Sequence, residues 1–132
     1  MEINQLITAT LKEVNLPLFF ISKPQTQACK EIKDYITFNY YVYDDFYSNN
    51  DSEVERYLVS FNLITSNQNL LLSDTKKIKN VLKKNSDFYN VIVRGATVNN
   101  VNSVLLDEYI VTITCNYIHF REDESEWVVL LV

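Results

Sequence analysis

A chain of 132 residues has room for one ordinary hydrophobic core, so we predict a single domain over residues 1–132. Its 47% of apolar residues is typical of a globular protein and excludes disorder over most of the length, while its single glycine excludes a glycine-rich phosphate loop. With 17 acidic against 12 basic side chains, the net charge of -5 disfavours a surface built to bind nucleic acid or an anionic membrane.

The N-terminal segment is predicted to form a helix over residues 2–14. Its apolar residues recur at spacings of three and four and fall on one stripe: Ile3, Leu6, Ile7, Leu11 and Val14. The segment "LFFIS" between Pro17 and Pro24 predicts a short strand, because each proline disfavours helix in the residue before it. A polar link from Lys23 to Lys33 then leads to the next strand.

The cellular compartment is suggested by the cysteines and the first residues. Cys29 and Cys115 are too few for the disulfide framework of a secreted mini-protein, so we predict an intracellular chain in which both are buried small hydrophobes. Met1 and Glu2 precede an amphipathic run, which predicts no signal peptide. No apolar run approaches the length of about 20 residues that a membrane span requires.

Residues Tyr35 to Thr65 are predicted to form a long antiparallel β-hairpin. Apolar residues alternate with mixed ones in "YITFNYYV" and again in "YLVSFNLIT", which is the pattern of strands with one buried face. The connection "DDFYSNNDSEVER" is much longer than the about two to five residues of common hairpin loops. A loop of that length is either functional or disordered.

A second helix and two further strands complete the predicted fold. The segment "LLSDTKKIKNVLKK" predicts a helix with Ser73 or Asp74 as its N-cap, and lysines spread around its outer faces as expected of a solvated surface. The segments "FYNVIVRGATV" and "LDEYIVTITCNYIHF" predict strands, with a bulge or turn at Gly95. We therefore predict an α+β fold, a small and mostly antiparallel sheet with two helices packed on one face.

Residue types that carry catalysis are sparse. His119 is the only histidine and lies at a strand end, so we interpret it as a structural or exposed residue rather than a proton-transfer group. The hydroxyls and thiols have no other histidine to activate them. We predict no catalytic residues, no cofactor and no metal, and we predict that the protein is not an enzyme.

Acidic residues are concentrated in the hairpin loop: Asp44, Asp45, Asp51, Glu53 and Glu55. Their spacing lacks the alternation of a calcium-binding loop, and the central glycine of such a loop is missing, which indicates solvated charge. We predict that these carboxylates face a lumen or a subunit interface.

The C-terminal segment, residues 121–132, joins the acidic "REDESE" to an apolar run. That run consists of Trp127, Val128, Val129, Leu130, Leu131 and Val132. If it were exposed, such a strand-forming segment would promote aggregation. We therefore expect it either to pack in the core of its own chain or to dock on a neighbouring subunit. Both alternatives predict a role in contact rather than in catalysis.

Four segments together resemble the tail-completion, or tail terminator, proteins of long-tailed bacteriophages. They are the N-terminal helix, the hairpin "DYITFNYYVYDDFYSNNDSEVERYLVSFNLIT", the helix "KKIKNVLKK" followed by "DFY", and the strand "DEYIVTITCNYIHF". The resemblance covers residues 2–120 and rests on the order and pattern of elements.

The resemblance implies a structural virion protein that forms a ring, typically a hexamer, at the head-proximal end of the tail tube. Such a ring ends tube polymerisation and joins tail to head, contacting the tail tube protein and a head-completion or connector protein. DNA would pass through it without specific binding. The protein would be assembled in the host cytoplasm and located at the head-tail junction. The alternatives are another phage connector or tail component, and a small intracellular α+β enzyme or regulator.

Overall fold

A computed structural model describes residues 2–42, 54–101 and 104–120 of the protein. The helices are α1 (Ile3–Thr10), which continues as a 3-10 turn (Leu11–Val14), α2 (Gln27–Lys30) and α3 (Gln68–Lys84). The strands are β1 (Leu18–Phe20), β2 (Tyr35–Val42), β3 (Val54–Thr65), β4 (Phe88–Val101) and β5 (Val104–Phe120).

The strands form one mixed sheet in the order β1-β2-β3-β5-β4. The short strand β1 runs parallel to β2, and the pairs β2 with β3, β3 with β5 and β4 with β5 are antiparallel. The prediction of an α+β fold with a mostly antiparallel sheet is confirmed.

The alternation of the hairpin strands places their apolar residues on one sheet face, as predicted. Ile36 and Phe38 of β2 pair with Leu63 and Phe61 of β3, and all four side chains are buried. The same core includes residues of α1, α3 and β5, among them Ile7, Ile78, Leu82 and Ile113. The helices α1 and α3 therefore cover the same face of the sheet.

Helix α1 follows the predicted stripe. Ile3 and Ile7 are buried, and the backbone N–H of Glu2 donates to Oε1 of Gln5 at 3.3 Å, which satisfies one of the free donors at the helix start. After the 3-10 turn, Asn15 adopts a left-handed conformation with φ of 62° and ends the helical segment.

The polar link before β2 contains the short helix α2, which the sequence did not predict. The side chain of Thr26 caps its start, because Thr26 Oγ1 accepts from the backbone N–H of Cys29 at 3.2 Å. A single turn has too few apolar residues to show a helical period, so only its cap residue marks it in the sequence.

Helix α3 begins earlier than predicted. Asn67 is the N-cap, and its Oδ1 accepts from the backbone N–H of Asn69 at 2.9 Å. The predicted caps Ser73 and Asp74 are therefore wrong, since both lie inside the helix. The buried Thr65 donates to Oδ1 of Asp34 at 2.6 Å and anchors the end of β3 immediately before this cap.

Among the described residues, no helix is both long and apolar enough to cross a bilayer. Residues 121–132 lie outside the described part, so the assignment of all 132 residues to one domain stays a prediction.

Candidate functional site

The two lateral edges of the sheet are the most distinctive surfaces of the described fold. Strand β1 forms one edge and β4 the other, and within the described residues each pairs with a single neighbouring strand. An edge strand offers free backbone N–H and C=O groups to another chain. The side chains on these edges decide whether such pairing is favoured.

The β1 edge exposes apolar side chains. Phe20 is 44% exposed and the adjacent Ile21 is 65% exposed. Ile21 has a φ of 71°, an unusual conformation for a β-branched residue, and its backbone N–H donates to the carbonyl of Phe38 at 2.7 Å. Such strain is often found at functional positions. Beyond the end of β1, Tyr41 and Val42 of β2 are also exposed.

The β4 edge is long and irregular. Its pairing with β5 shifts at three places, one of them between Val93 and Gly95, where the glycine has a φ of 133°. This shift in register confirms the predicted bulge at Gly95. Glycine suits the position because its conformation is strained for any residue with a Cβ. Ile92 and Val93 are 44% and 40% exposed. Among the described strands, each edge thus has a single neighbour and also exposes large apolar side chains.

The sheet face opposite the core is held by hydrogen bonds between side chains of neighbouring strands. Thr112 Oγ1 donates to Asn62 Oδ1 at 2.7 Å, and Arg94 Nε donates to Thr114 Oγ1 at 3.0 Å. These hydrogen bonds connect β3 to β5 and β5 to β4, so they stabilise the position of β4 at the edge of the sheet.

Sequence patterns did not identify either edge as a site. The run Val91-Ile92-Val93 departs from strict alternation, and this was the available signal that apolar side chains face both sides of β4. For Ile21 no such signal exists, because a positive φ at isoleucine is imposed by tertiary structure.

Most of the predicted acidic loop lies outside the described residues, namely Asp44, Asp45, Asp51 and Glu53. Glu55 does not belong to the loop, which corrects the prediction. It lies in β3, pairs in register with His119 of β5, and its Oε2 accepts from the Tyr57 hydroxyl at 3.1 Å. Strand β3 starts at Val54 because pairing with β5 extends it beyond the alternating core residues. The role of these carboxylates at a lumen or interface stays a prediction.

The predicted interaction segment Trp127 to Val132 also lies outside the described residues. Its contact role stays a prediction.

His119 is in the penultimate position of β5, at the strand end that was expected for it. Both cysteines are free thiols. Cys115 is buried, as predicted, whereas Cys29 on α2 is only half-buried, so the interpretation as a buried hydrophobe is wrong for Cys29. Helix α2 contains no buried residue, so none of its side chains is fully covered by the rest of the fold.

Three ionisable groups in the core are shifted by burial. Burial raises the pKa of the Cys115 thiol to about 12. Burial, and then the hydrogen bond to Glu55, raise the pKa of Tyr57 to about 12. Burial, and then the charge of Asp87, raise the pKa of Tyr117 to about 12. At neutral pH these groups are protonated, and their side chains pack in the hydrophobic core.

These shifts predict a loss of stability in alkali. In the unfolded chain the same groups have their ordinary pKa values of 9.0 for Cys115 and 10.0 for Tyr117, so the unfolded chain releases these protons at lower pH than the folded chain does. Stability is fully present below about pH 9 and decreases as pH rises towards about 12. Measurement of the melting temperature from about pH 9 to about pH 12 tests this prediction. The variant Tyr117→Phe should lose less stability over this range than the unmodified protein, whereas the exposed control Tyr41→Phe should lose as much. A melting temperature that stays constant across the range would contradict the prediction.

Two clefts of the described surface differ in their ionisable side chains, since one of about 400 Å³ has Lys23, Tyr35 and Glu108 in its lining. A cleft of about 910 Å³ lies beside α1 and the start of β1, and Lys12 is the ionisable side chain among the described residues that line it. Among the residues with described positions, no three His, Cys, Asp or Glu side chains group as metal ligands. The absence of enzymatic activity and of a metal stays a prediction.

Comparisons with known proteins give weak structural likenesses. No protein-family model matches the chain, and no curated protein matches it. A crystal structure from Akkermansia muciniphila aligns with a TM-score of 0.37 over 90% of this chain and 73% of that one, at 13% identity. A structure determined without its transmembrane region, from the same organism, aligns with a TM-score of 0.35 over 90% of this chain and 79% of that one, also at 13% identity. Likeness at this level carries no argument about function.

Proposed function

We propose that the protein is a structural phage protein that forms a ring at the head-proximal end of a tail tube, ends tube polymerisation and joins the tail to the head. The observation that supports assembly is the pair of sheet edges, each of which has one neighbouring strand within the described residues. The β1 edge and the β4 edge lie on opposite sides of the same sheet, and each exposes large apolar side chains. The assignment to a phage tail rests on the sequence resemblance.

Two different edges on one subunit favour head-to-tail association. The β1 edge of one copy would meet the β4 edge of the next, so an open chain of subunits would keep one free β1 edge at one end and one free β4 edge at the other until it closes. Such heterologous contacts give a ring when the rotation between subunits closes, and a fibre when it does not. Burying apolar side chains at each contact contributes about 25 cal/mol per Å² of apolar surface removed from water.

The ring would contact the tail tube protein on one face and a head-completion or connector protein on the other, with DNA passing through its lumen. Acidic side chains of the hairpin loop, Asp44, Asp45, Asp51 and Glu53, would face that lumen. Negative charge there repels phosphate, so DNA would slide without binding. A hexamer is the expected size from the resemblance.

Native mass spectrometry and light scattering at micromolar concentration test the assembly. We expect one closed oligomer whose mass does not grow with concentration. A stable monomer, or a polymer that lengthens with concentration, would contradict the ring.

Addition of the purified ring to a polymerising tail tube protein then separates the tail terminator from a related connector. Growth of the tubes should stop at one end. A ring that leaves tube growth unchanged would refute tail termination and favour the connector alternative.

A further inference from the structure

The cleft of about 400 Å³ lies on the sheet face opposite the core, and we call it the outer cleft. Thr37 of β2 and Asn62 of β3 pair in register on its floor, and their neighbours along each strand are core residues. Lys23, from the chain after β1, and Glu108 of β5 also line it. The volume is within the range of about 300–1,000 Å³ that is usual for small-molecule sites.

The ammonium group of Lys23 is held at the rim of the outer cleft. Lys23 Nζ donates to the carbonyl of Ile32 at 2.8 Å and lies 4.6 Å from the centre of the Tyr35 ring. No carboxylate of the described residues lies within ion-pair distance of it. Lys23 is therefore a positioned cation whose charge is not neutralised by the described part of the chain.

Thr37 supplies a buried hydroxyl without a partner. The residue is only 8% exposed, and within residues 2–42, 54–101 and 104–120 its hydroxyl makes no hydrogen bond. Among these residues no fully inaccessible side-chain nitrogen or oxygen lacks a partner, so the Thr37 hydroxyl must be reached through the cleft. A polar group that is buried and unpaired costs free energy, and a bound molecule would remove that cost.

Asn62 adds a second donor on the floor. Its Oδ1 accepts from Thr112 Oγ1 at 2.7 Å, which fixes the side-chain amide and leaves Nδ2 as a donor. The hydroxyl of Thr37 and the amide of Asn62 are on paired residues of neighbouring strands, so they are close together. With Lys23 they form a set of donors suited to a carboxylate.

Glu108 places a negative charge in the same cleft. Burial, and then the charge of Glu108, raise the pKa of Tyr35, so this carboxylate lies near the ring that Lys23 also contacts. The two opposite charges are nevertheless too far apart to form an ion pair with each other. Apolar side chains, those of Ile64 and Ile110, lie between the polar groups on the floor.

We propose that the outer cleft binds a small zwitterion with an apolar side chain, the chemical class of free amino acids such as leucine. Lys23 and Thr37 bind its carboxylate, and Glu108 binds its ammonium group. Its side chain packs on Ile64 and Ile110. A molecule with one charge would leave either Lys23 or Glu108 unmatched, and a dicarboxylate would be repelled by Glu108. The inference does not depend on the proposed ring.

Nuclear magnetic resonance of isoleucine methyl groups tests the site. Titration of the full chain with millimolar L-leucine should give saturable shifts of the Ile64 and Ile110 methyl signals. The signals of Ile7 and Ile78, which lie in the core on the other side of the sheet, should not move. The analogues 4-methylpentanoate and 3-methylbutylamine each lack one charged group of leucine. Each should bind at least about tenfold more weakly, because one charge-assisted hydrogen bond is lost.

Three variants identify the residues that bind. Thr37→Val should weaken leucine binding by about fivefold, the effect of one lost hydrogen bond, without lowering the melting temperature. A hydroxyl with a purely structural role would instead lower it. Glu108→Gln should weaken leucine binding by about tenfold and leave 4-methylpentanoate binding unchanged. Lys23→Met should weaken the binding of both, whereas the control Lys12→Met, in the other cleft, should weaken neither.

The absence of saturable shifts at Ile64 and Ile110 would overturn the proposal. Equal binding of leucine and 4-methylpentanoate would overturn the assignment of a zwitterion, because Glu108 would then contribute nothing. Unchanged leucine binding in both Thr37→Val and Glu108→Gln would show that leucine binds elsewhere. These two variants decide the matter even if Lys23→Met disturbs the chain that Lys23 holds through Ile32.

Discussion

Replacing Phe61 with alanine should lower the free energy of unfolding by about 3–5 kcal/mol, the usual cost of removing a buried phenylalanine side chain. Phe61 is fully buried in the middle of β3, and its ring centroid lies 6.4 Å from that of Phe38 on β2. It pairs with Ile113 of β5 on the other side. The substitution therefore opens a cavity at the centre of the sheet, below the helices. The loss is a large part of the about 5–15 kcal/mol that stabilises a typical domain.

Denaturant unfolding of the two proteins measures this loss. The matched control is Tyr41→Ala, an aromatic residue of β2 that is 60% exposed, for which we expect a change within about 0.5 kcal/mol. Equal losses for the two variants would contradict the assignment of Phe61 to the centre of the core.

A lysine at either sheet edge should abolish assembly while leaving the fold intact. Ile21→Lys places a charge on the β1 edge and Ile92→Lys places one on the β4 edge, at side chains that are 65% and 44% exposed. Burying an unpaired charge at a contact costs more than the apolar contact contributes, so each variant should be a folded monomer. Native mass spectrometry measures the change.

The mixture of the two variants is the sharper experiment. The Ile21→Lys chain keeps an intact β4 edge, and the Ile92→Lys chain keeps an intact β1 edge. An equimolar mixture should therefore form a dimer of one copy of each and nothing larger, because the two remaining edges both carry lysine.

Leu70→Lys is the control for the edge variants. Leu70 is an apolar residue of α3 that is 39% exposed and belongs to the helix layer, not to an edge strand, so this variant should assemble as the unmodified protein does. If the mixture contained only monomers, or if either edge variant alone formed the full oligomer, the contact between β1 and β4 edges would be refuted. The ring could then only be built on other surfaces.

Sequence patterns alone predicted most of the helices and strands. The spacing of Ile3, Ile7 and Leu11 predicted the first helix, and the alternation in the two hairpin strands predicted one buried face, on which Phe61 lies. Both patterns are local, because the period of side-chain burial follows from the geometry of the single helix or strand. Gly95 likewise marked its bulge, since its conformation is one that other residues adopt only under strain.

The start of α3 and the position of Glu55 were not predictable in the same way. The true cap of α3 is Asn67, and three consecutive leucines, residues 70–72, hide the helical period behind it. Glu55 looks like a loop carboxylate in the sequence, yet pairing with β5 draws it into β3, where it accepts a hydrogen bond from Tyr57. Strand ends depend on the length of the partner strand, which is information from a distant part of the chain.

The same distinction between local and non-local information applies to the candidate surfaces. By itself the sequence determined the apolar faces, the acidic loop, the lysines of α3 and the acidic and apolar halves of the C-terminal segment, because composition and period are properties of consecutive residues. Only the tertiary structure decided that β1 and β4 are the edges, that Ile21 and Ile92 are exposed there, and that Lys23, Thr37 and Glu108 line one cleft. The physical reason is that edges and clefts are set by non-local pairing, and a strand buried between two neighbours has the same alternation as one with a free side.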